Sequence, residues 1–509
     1  MVNRILLKNG KLADGSGSPL NNGDILIDGS LISLVGQNLH ADDAQYIDCT
    51  GLLLSPGFID AHSHSDLQVL HNKPEKIRQG VTCEVVGNCG FSPYPNTHPD
   101  QLHEFGNGIL FGDDQWGWPS ASEYLLSVHQ RSRLASVASL VGHGSLRIAH
   151  AGLQQGPVDE ATLDAMTRTL DEALSEGATG FSTGLMYAPG SSAPREELVR
   201  LCRVVAKRDR IYCSHIRDYS THLLPAIDEQ IDLARASGCR LQISHLQTVG
   251  RVNWKLNAVA LERIESARNS GVDVMFDCYP YVAGSTVLTQ MLPQWALEGG
   301  VPKLMDRLSD AGTSREIAKH VADNMVHQWA DIFISSVGSD RNAGVVGKSL
   351  AEISAERGDN PMDIVFRLLL EEQGQVNMLQ FNQSEENLRA NLAHPLSMII
   401  SDGFYVKGKP HPRLHGTFPE LLGNICRDKG WLSLPDAIHK VTGSPADRFS
   451  ITGRGILKAG NFADITIFHQ ETIRSNATYK DPQQDPTGIV AVYREGKPLL
   501  ANDARFALN

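Results

Sequence analysis

Long apolar runs are missing from this chain. No stretch of about 18 consecutive apolar residues occurs, so no segment reads as a membrane-spanning helix. The start, Met1–Gly17, offers only the short apolar run Ile5–Leu7. A secretory signal needs an apolar core of about 7–15 residues, so a cytoplasmic protein is expected. Paired cysteine motifs are missing too. The eight cysteines, Cys49, Cys83, Cys89, Cys202, Cys213, Cys239, Cys278 and Cys426, are scattered, and in that compartment they read as thiols or metal ligands. Excess positive charge is also lacking: 46 Lys and Arg against 58 Asp and Glu leave a net charge of −12. Nothing in that balance attracts a phosphate backbone or an anionic membrane surface, so the expected partner is a small molecule, with no nucleic acid and no membrane; the oligomeric state stays open. There are no internal repeats and no low-complexity linkers. With 41% hydrophobic and 20% charged residues, the composition is that of an ordinary globular protein. The 509 residues suggest roughly three domains at about 150 residues each, unless a barrel fold takes up more of the chain.

What is present is a change of period along the chain. Residues 1–55 alternate short apolar runs (Ile5–Leu7, Ile25–Ile27, Leu31–Val35, Leu52–Leu54) with turn signals such as Asn22-Gly23 and Asp28-Gly29. The last 55 residues have the same texture, so residues 1–55 and 416–509 are expected to meet in one small β-sandwich. Between them, helical stripes (Leu163, Met166, Leu170, Leu174; Leu198, Leu201, Cys202, Val205; Leu224, Ile227, Ile231, Ala234) alternate with apolar runs at 178–183, 211–214, 239–244 and 272–276. The spacing of about 30 residues is that of a βα crossover. An α/β fold follows: a (β/α)8 barrel over 56–415, interrupted by an inserted lobe at 286–345.

Barrel strands deliver their C-terminal ends to one mouth. His215 follows the run 211–214, His245 follows 241–244, Asp402 follows 398–401, and His62 and His64 end the segment 57–61. Four histidines, an aspartate and a cysteine at one rim suit zinc. Individually each is weak. With 19 histidines in the chain, a His-x-His pair is close to a chance event, a lone strand-end histidine is more often a core residue, and Asp402 beside Gly403 also reads as a turn cap. Only their co-location in the barrel raises them together.

Several motifs in order carry a resemblance. Leu54-Ser-Pro-Gly-Phe-Ile-Asp-Ala-His-Ser-His64 resembles the first-strand motif of the amidohydrolase superfamily. Val86-Gly-Asn-Cys89-Gly90, Gly177-Ala-Thr-Gly-Phe-Ser-Thr-Gly184, Tyr279-Pro-Tyr-Val-Ala-Gly-Ser285, Gly347-Lys-Ser-Leu-Ala-Glu352, Ser401-Asp-Gly403 and His411-Pro-Arg413-Leu-His-Gly-Thr-Phe418 are similar to its N-acyl-D-amino-acid deacylase (D-aminoacylase) branch. The resemblance implies a metal-dependent barrel with a small β domain and an inserted lobe. It implies a tight zinc on Cys89, His215 and His245, and a second, looser position on His62, His64 and Asp402 that Cys89 can bridge. Cys83 is expected to be a buried apolar residue, and His71, His98, His143, His411 and His415 are given no ligand role. Asp402 is the expected catalytic base and then acid. Arg413 offers a fork for the substrate's α-carboxylate, with Tyr279 and Ser285 beside it; without the resemblance, loop packing and a surface salt bridge explain them as well. Where some relatives carry lysine two residues after the strand-end histidine, this chain has Gln247, which favours neutral, hydrophobic D-amino acids. The alternatives are opening of cyclic amides, as in hydantoinases and dihydroorotases, and a non-catalytic scaffold with the same fold.

Overall fold

The computed structural model of the chain describes residues 4–112 and 116–506. The outermost residues of the expected 1–55 and 416–509 segments therefore lie outside the described residues.

Eight parallel strands follow one another in chain order: Phe58–Asp60, Val81–Val86, Ser136–Gly142, Gly180–Gly184, Ile211–His215, Arg240–Ile243, Val274–Cys278 and Ser397–Ile399. Helices such as Glu160–Ser175, Arg195–Lys207, Leu223–Ser237 and Leu256–Asn269 lie between them. The first of these shows how the sequence writes the unit. Asp159 accepts a hydrogen bond from the Thr162 backbone N–H and starts the helix; Leu163, Met166, Leu170 and Leu174 then form its buried stripe. Alternation in the strands does the rest. Phe181, Tyr212, Leu241 and Phe276 face this helical layer, whereas Ile211 and Cys213 face the barrel interior with Leu140, Met398 and Ile400.

Among the described residues, the sheet of eight has no regular ladder between its first and last strands. Closure comes one step beyond them. Ser63 bridges Gly403, the Asp402 backbone N–H donates to the His62 carbonyl at 2.9 Å, and the His64 N–H donates to the Gly403 carbonyl at 3.0 Å.

Both ends of the chain build one further eight-stranded sheet. Arg4–Leu12 pairs with Asn21–Asp28, and its register breaks between Leu7 and Gly10, so its first half pairs Gln45–Asp48 and its second half Leu53–Pro56. Leu53–Pro56 then takes Ile465–Phe468 as antiparallel partner, which joins the termini. One residue, Gly57, separates this sheet from the first barrel strand. Residues 413–448 are helical, so the strands of the small sheet resume only at Ile465 rather than after 416. Phe418, Leu421, Ile425 and Ile438 bury a wedge against Phe58 and Ile399 of the barrel and Phe468 and Val492 of the sheet.

The lobe is also larger than the 286–345 read from the sequence. Its three-stranded antiparallel sheet takes Ala283–Val287 and Ile332–Val337 to either side of Val376–Phe381. The helix Pro361–Glu371 followed by Val376–Phe381 has the period of a barrel unit; only its antiparallel pairing assigns it to the lobe. Among the described residues no helix is long and apolar enough to cross a membrane.

Lys440 pins the helical wedge to the last barrel strand. Its buried ammonium donates to the His394 carbonyl at 2.6 Å, the Ser397 carbonyl at 2.9 Å and Ser397 Oγ at 2.8 Å, one acceptor for each proton. Lys440→Met removes three hydrogen bonds of a buried ammonium and is expected to cost about 1–3 kcal/mol in urea unfolding. A loss below about 0.5 kcal/mol, the ordinary scatter of surface substitutions, would show that the tether does not hold the strand.

Candidate metal centre

The barrel mouth gathers the residues singled out by strand-end position. His62 Nε2 lies 3.3 Å from Cys89 Sγ and 3.4 Å from Asp402 Oδ1. His64 Nε2 is 3.3 Å from the same carboxylate oxygen, and His245 Nε2 is 3.4 Å from Cys89 Sγ. Two overlapping donor clusters result, His62–Cys89–His245 and His62–His64–Asp402, all buried. His215 belongs to neither tight cluster. Its ring packs edge-on to His245 at 4.6 Å between centroids and lines the same cavity. His62 thus joins the Cys89–His245 pair, while the His215 ring also lies against His245, closer to it than the His62 ring at 5.0 Å.

Three of these donors sit on strained backbone. Cys89, His245 and Asp402 have φ of 53°, 34° and 49°, a region that costs a non-glycine residue about 1–3 kcal/mol. Each departure aims a side chain. Leu241 and Ile243 face the helices, so strict alternation would send His245 outward as well; the positive φ turns it into the mouth. Cys89 is carried by the turn after the second strand, and its carbonyl passes so close to Gly184 that a Cβ there would lie 2.0 Å from the oxygen.

Supporting polar groups hold these positions. Asp277 Oδ1 accepts the His245 backbone N–H at 2.6 Å and approaches His62 Nδ1 at 3.5 Å, while its other oxygen accepts from Gln242 at 2.9 Å. Beneath the seam, buried Lys76 bonds Asp60 and Ser401, and the Ser401 N–H donates to Asp60 Oδ1 at 2.9 Å. Arg413, 1% exposed, places Nη1 2.9 Å from Asp402 Oδ2 and its guanidinium over Tyr279 and Phe404.

The donor chemistry fits a cation. His62, His64 and His245 turn Nε2 toward the Cys89 thiol or the Asp402 carboxylate, and His215 leaves both buried ring nitrogens without a hydrogen-bond partner. Buried nitrogens of this kind normally find partners. Burial, reinforced by neighbouring histidines, holds His215 well below the usual imidazole range, and burial brings His245 down to about 4. Both rings are therefore neutral near pH 7, the form that can give a lone pair to a metal. Burial works against ionisation of Asp402, but Arg413, His245 and His64 outweigh it and hold its carboxyl well below the usual range.

The mouth opens into a cavity of about 300 Å³. His64, Cys89, His215, His245 and Asp402 form one side; Arg413, Tyr279, Gln247 and Ser285 form another. Tyr279 donates its hydroxyl to Gln247 Oε1 at 3.1 Å, and Asn382 donates to the same oxygen at 3.3 Å. Ser285 meets Arg413 through its backbone carbonyl, which accepts from Nη2 at 3.5 Å, rather than through its hydroxyl. Of the histidines given no ligand role, His143 is held by Glu197 at 2.8 Å and His411 by the Ala283 carbonyl at 3.0 Å. Cys83 is buried in the apolar layer under the small sheet. Two partners went unread in the sequence. Asp277 directly follows the apolar run 272–276, so the strand-end rule that selects His215 and His245 selects it as well. The Arg413–Asp402 pair had no local signal, because it joins a helix start to a strand end.

The sequence pattern of the amidohydrolase family matches residues 45–500. A D-aminoacylase of Alcaligenes xylosoxydans xylosoxydans is 34% identical over 503 residues, spanning 98% of this chain and 95% of that protein. Among solved structures, an N-acyl-D-glutamate deacylase from Bordetella bronchiseptica, complexed with zinc and a phosphonate inhibitor that mimics the reaction's tetrahedral intermediate, superimposes with a TM-score of 0.84 at 30% identity, covering 98% of this chain and 97% of that one. A D-aminoacylase with a binuclear metal centre does so with a TM-score of 0.84 at 31% identity, covering 98% and 96%.

Asp277 touches two of the ring-bearing residues but lies outside both donor clusters. Asp277→Asn is expected to weaken retention of a divalent metal about 10–100-fold, measured by competition with a chromophoric chelator. Unchanged retention would mean that His62 and His245 hold their orientation without it.

Proposed function

The chain belongs to the amidohydrolase family, in its N-acyl-D-amino-acid deacylase branch, and from that premise we propose that it hydrolyses N-acyl-D-amino acids with neutral, hydrophobic side chains at a zinc centre. The observation that carries this reading is the convergence, in one cavity, of a histidine and thiol donor set with a buried arginine that has a guanidinium nitrogen to spare: Arg413 Nε has no hydrogen-bond partner. His62, His64, Cys89, His215, His245 and Asp402 would hold the metal, with one tight position and a second, looser one sharing Cys89 and His62. Zinc bound there would supply Lewis-acid polarisation of the scissile carbonyl and a water acidified toward neutral pH.

The chain's own residues do the remainder. Arg413 receives the α-carboxylate of the substrate, with the Tyr279 ring beneath the guanidinium and its hydroxyl tied to Gln247. Asp402 takes the proton of the attacking water onto its carboxylate and returns it to the amide nitrogen as the C–N bond breaks. The amino acid then leaves as an amine and the acyl group as a carboxylate. Fixing the carboxylate, the carbonyl and the side chain at three separate points gives the site its handedness.

Selectivity for a neutral side chain is supported by the remaining wall. Met186, Met291, Leu292, Val321 and Met325 line it, and Arg413 is the sole lysine or arginine among the described lining residues. A second carboxylate entering there would lose its water without gaining a cation.

The test is release of free amino acid from matched N-acetyl-D- and N-acetyl-L-amino acids by zinc-loaded protein. Turnover of D-Met, D-Leu and D-Phe derivatives is expected, with D-Glu and D-Asp derivatives and all L forms poor. Asp402→Asn is expected to lower kcat by about 10²–10⁴-fold, the worth of a positioned general acid–base, while the tight metal is retained. Silence over the whole panel with metal bound would discard the carboxylate clamp; faster turnover of D-Glu than of D-Leu would discard the neutral side-chain reading.

A further inference from the structure

A second cavity, of about 140 Å³, lies beside the catalytic one. The two share three wall residues, Ile109, Tyr187 and Gln290. The partition between them is thin: the Tyr187 hydroxyl is hydrogen-bonded to Thr286 Oγ1 at 3.2 Å, and Gln290 carries a buried Oε1 with no partner. Beyond the partition the lining is largely apolar. Phe91 and Phe105 stack at 4.3 Å, and Leu153, Val287, Leu297, Val301 and Leu304 extend the apolar wall, with Glu104, Asn107 and Gln155 among the polar lining residues. No residue of the donor clusters, and none of the Arg413–Tyr279–Gln247 group, reaches it.

Its direction from the metal centre identifies an occupant. Arg413 projects from the segment after the eighth barrel strand, and Tyr279 follows the seventh. Phe91 lies after the second strand and Tyr187 after the fourth, and Tyr187 packs against His215 at 4.9 Å between ring centroids. The second cavity therefore opens from the flank of the donor cluster away from the clamp. In an N-acyl amino acid the carboxylate and the acyl chain leave the scissile amide on opposite sides. With the carboxylate on Arg413 and the carbonyl at the donor cluster, the acyl chain is directed at Ile109, Tyr187 and Gln290.

We propose that this second cavity is an acyl-chain subsite, and that the preferred substrates carry a linear apolar acyl group longer than acetyl. The inference rests on the deacylase reading above and adds the acyl class to it. At ~30 Å³ for each small group, the cavity accommodates about four or five methylenes beyond the acetyl carbons. Each methylene withdrawn from water is worth about fourfold in binding, so the gain should grow with chain length and then level off.

The experiment measures kcat/KM of the zinc-loaded enzyme for acetyl, butanoyl, hexanoyl, octanoyl and decanoyl derivatives of one D-amino acid. A rise of roughly tenfold or more from acetyl to hexanoyl, flattening by octanoyl or decanoyl, is expected. Val301→Trp and Leu153→Trp, both lining the second cavity alone, should abolish the rise while leaving acetyl derivatives of small and large side chains unaffected. A kcat/KM that stays level or falls as the acyl chain lengthens would overturn the subsite and leave the deacylase reading intact. A rise that persists in both variants would overturn its location. Should no derivative of any length be turned over, the deacylase reading fails, and calorimetry with octanoate decides the cavity: heat with the wild type that is lost in the variants supports an apolar-chain site, and no heat with the wild type overturns it.

Discussion

The seam between the first and last barrel strands is the constraint on which the rest of the site depends. A parallel barrel must bring its two terminal strands together or leave an open edge in the middle of the protein. Here the strands themselves stop short, and the seam is made by the very residues that carry donor side chains. The Asp402 N–H binds the His62 carbonyl, and the His64 N–H binds that of Gly403. Closing the barrel and assembling the donor cluster are one event. Asp60, Lys76 and Ser401 tie the same two strands one layer deeper, where an unpaired charge would be costly; removing any one of them strands the others.

Around that seam backbone strain is placed at residues whose side chains are donors. Cys89, His245 and Asp402 all lie at positive φ, and each is over-determined by contacts that a relaxed conformation would forfeit. Asp277 grips the His245 backbone, Gly184 admits the Cys89 carbonyl, and Arg413 grips the Asp402 carboxylate. Arg413 thus has two duties, since the group proposed to receive substrate also fixes the base. Its burial between Tyr279 and Phe404 keeps the guanidinium in one place for both.

Much of this could be read from the chain, because strand-end position is a local property that a barrel converts into proximity. His215, His245 and Asp402 each follow an apolar run, and the structure gathers them at one mouth. The same rule reaches Asp277, which directly follows the apolar run 272–276. What sequence cannot carry is the partner in a non-local pair. Val376–Phe381 has the length and composition of a barrel strand, and only its antiparallel neighbours Ala283–Val287 and Ile332–Val337 show that it belongs to the lobe. Likewise the Arg413–Asp402 ion pair and the Lys440 tether link segments whose local patterns say nothing of each other.

The separate core of the lobe has a functional consequence. Leu304, Ile317, Ile334, Ile364, Leu368 and Met378 pack among themselves, away from the barrel interior. Yet the lobe supplies much of the wall of both cavities, with Met291, Leu292, Val321 and Met325 over the catalytic one and Val287, Leu297, Val301 and Leu304 over the second. A substitution among these residues reshapes a substrate pocket at a stability cost confined largely to the lobe. A substitution among the donors instead alters side chains whose places are fixed by the backbone bonds of the seam, by Asp277 and by Arg413. The proposed chemistry and the proposed selectivity thereby lie on elements with independent cores, so the walls of both cavities can change while the donor cluster stays fixed.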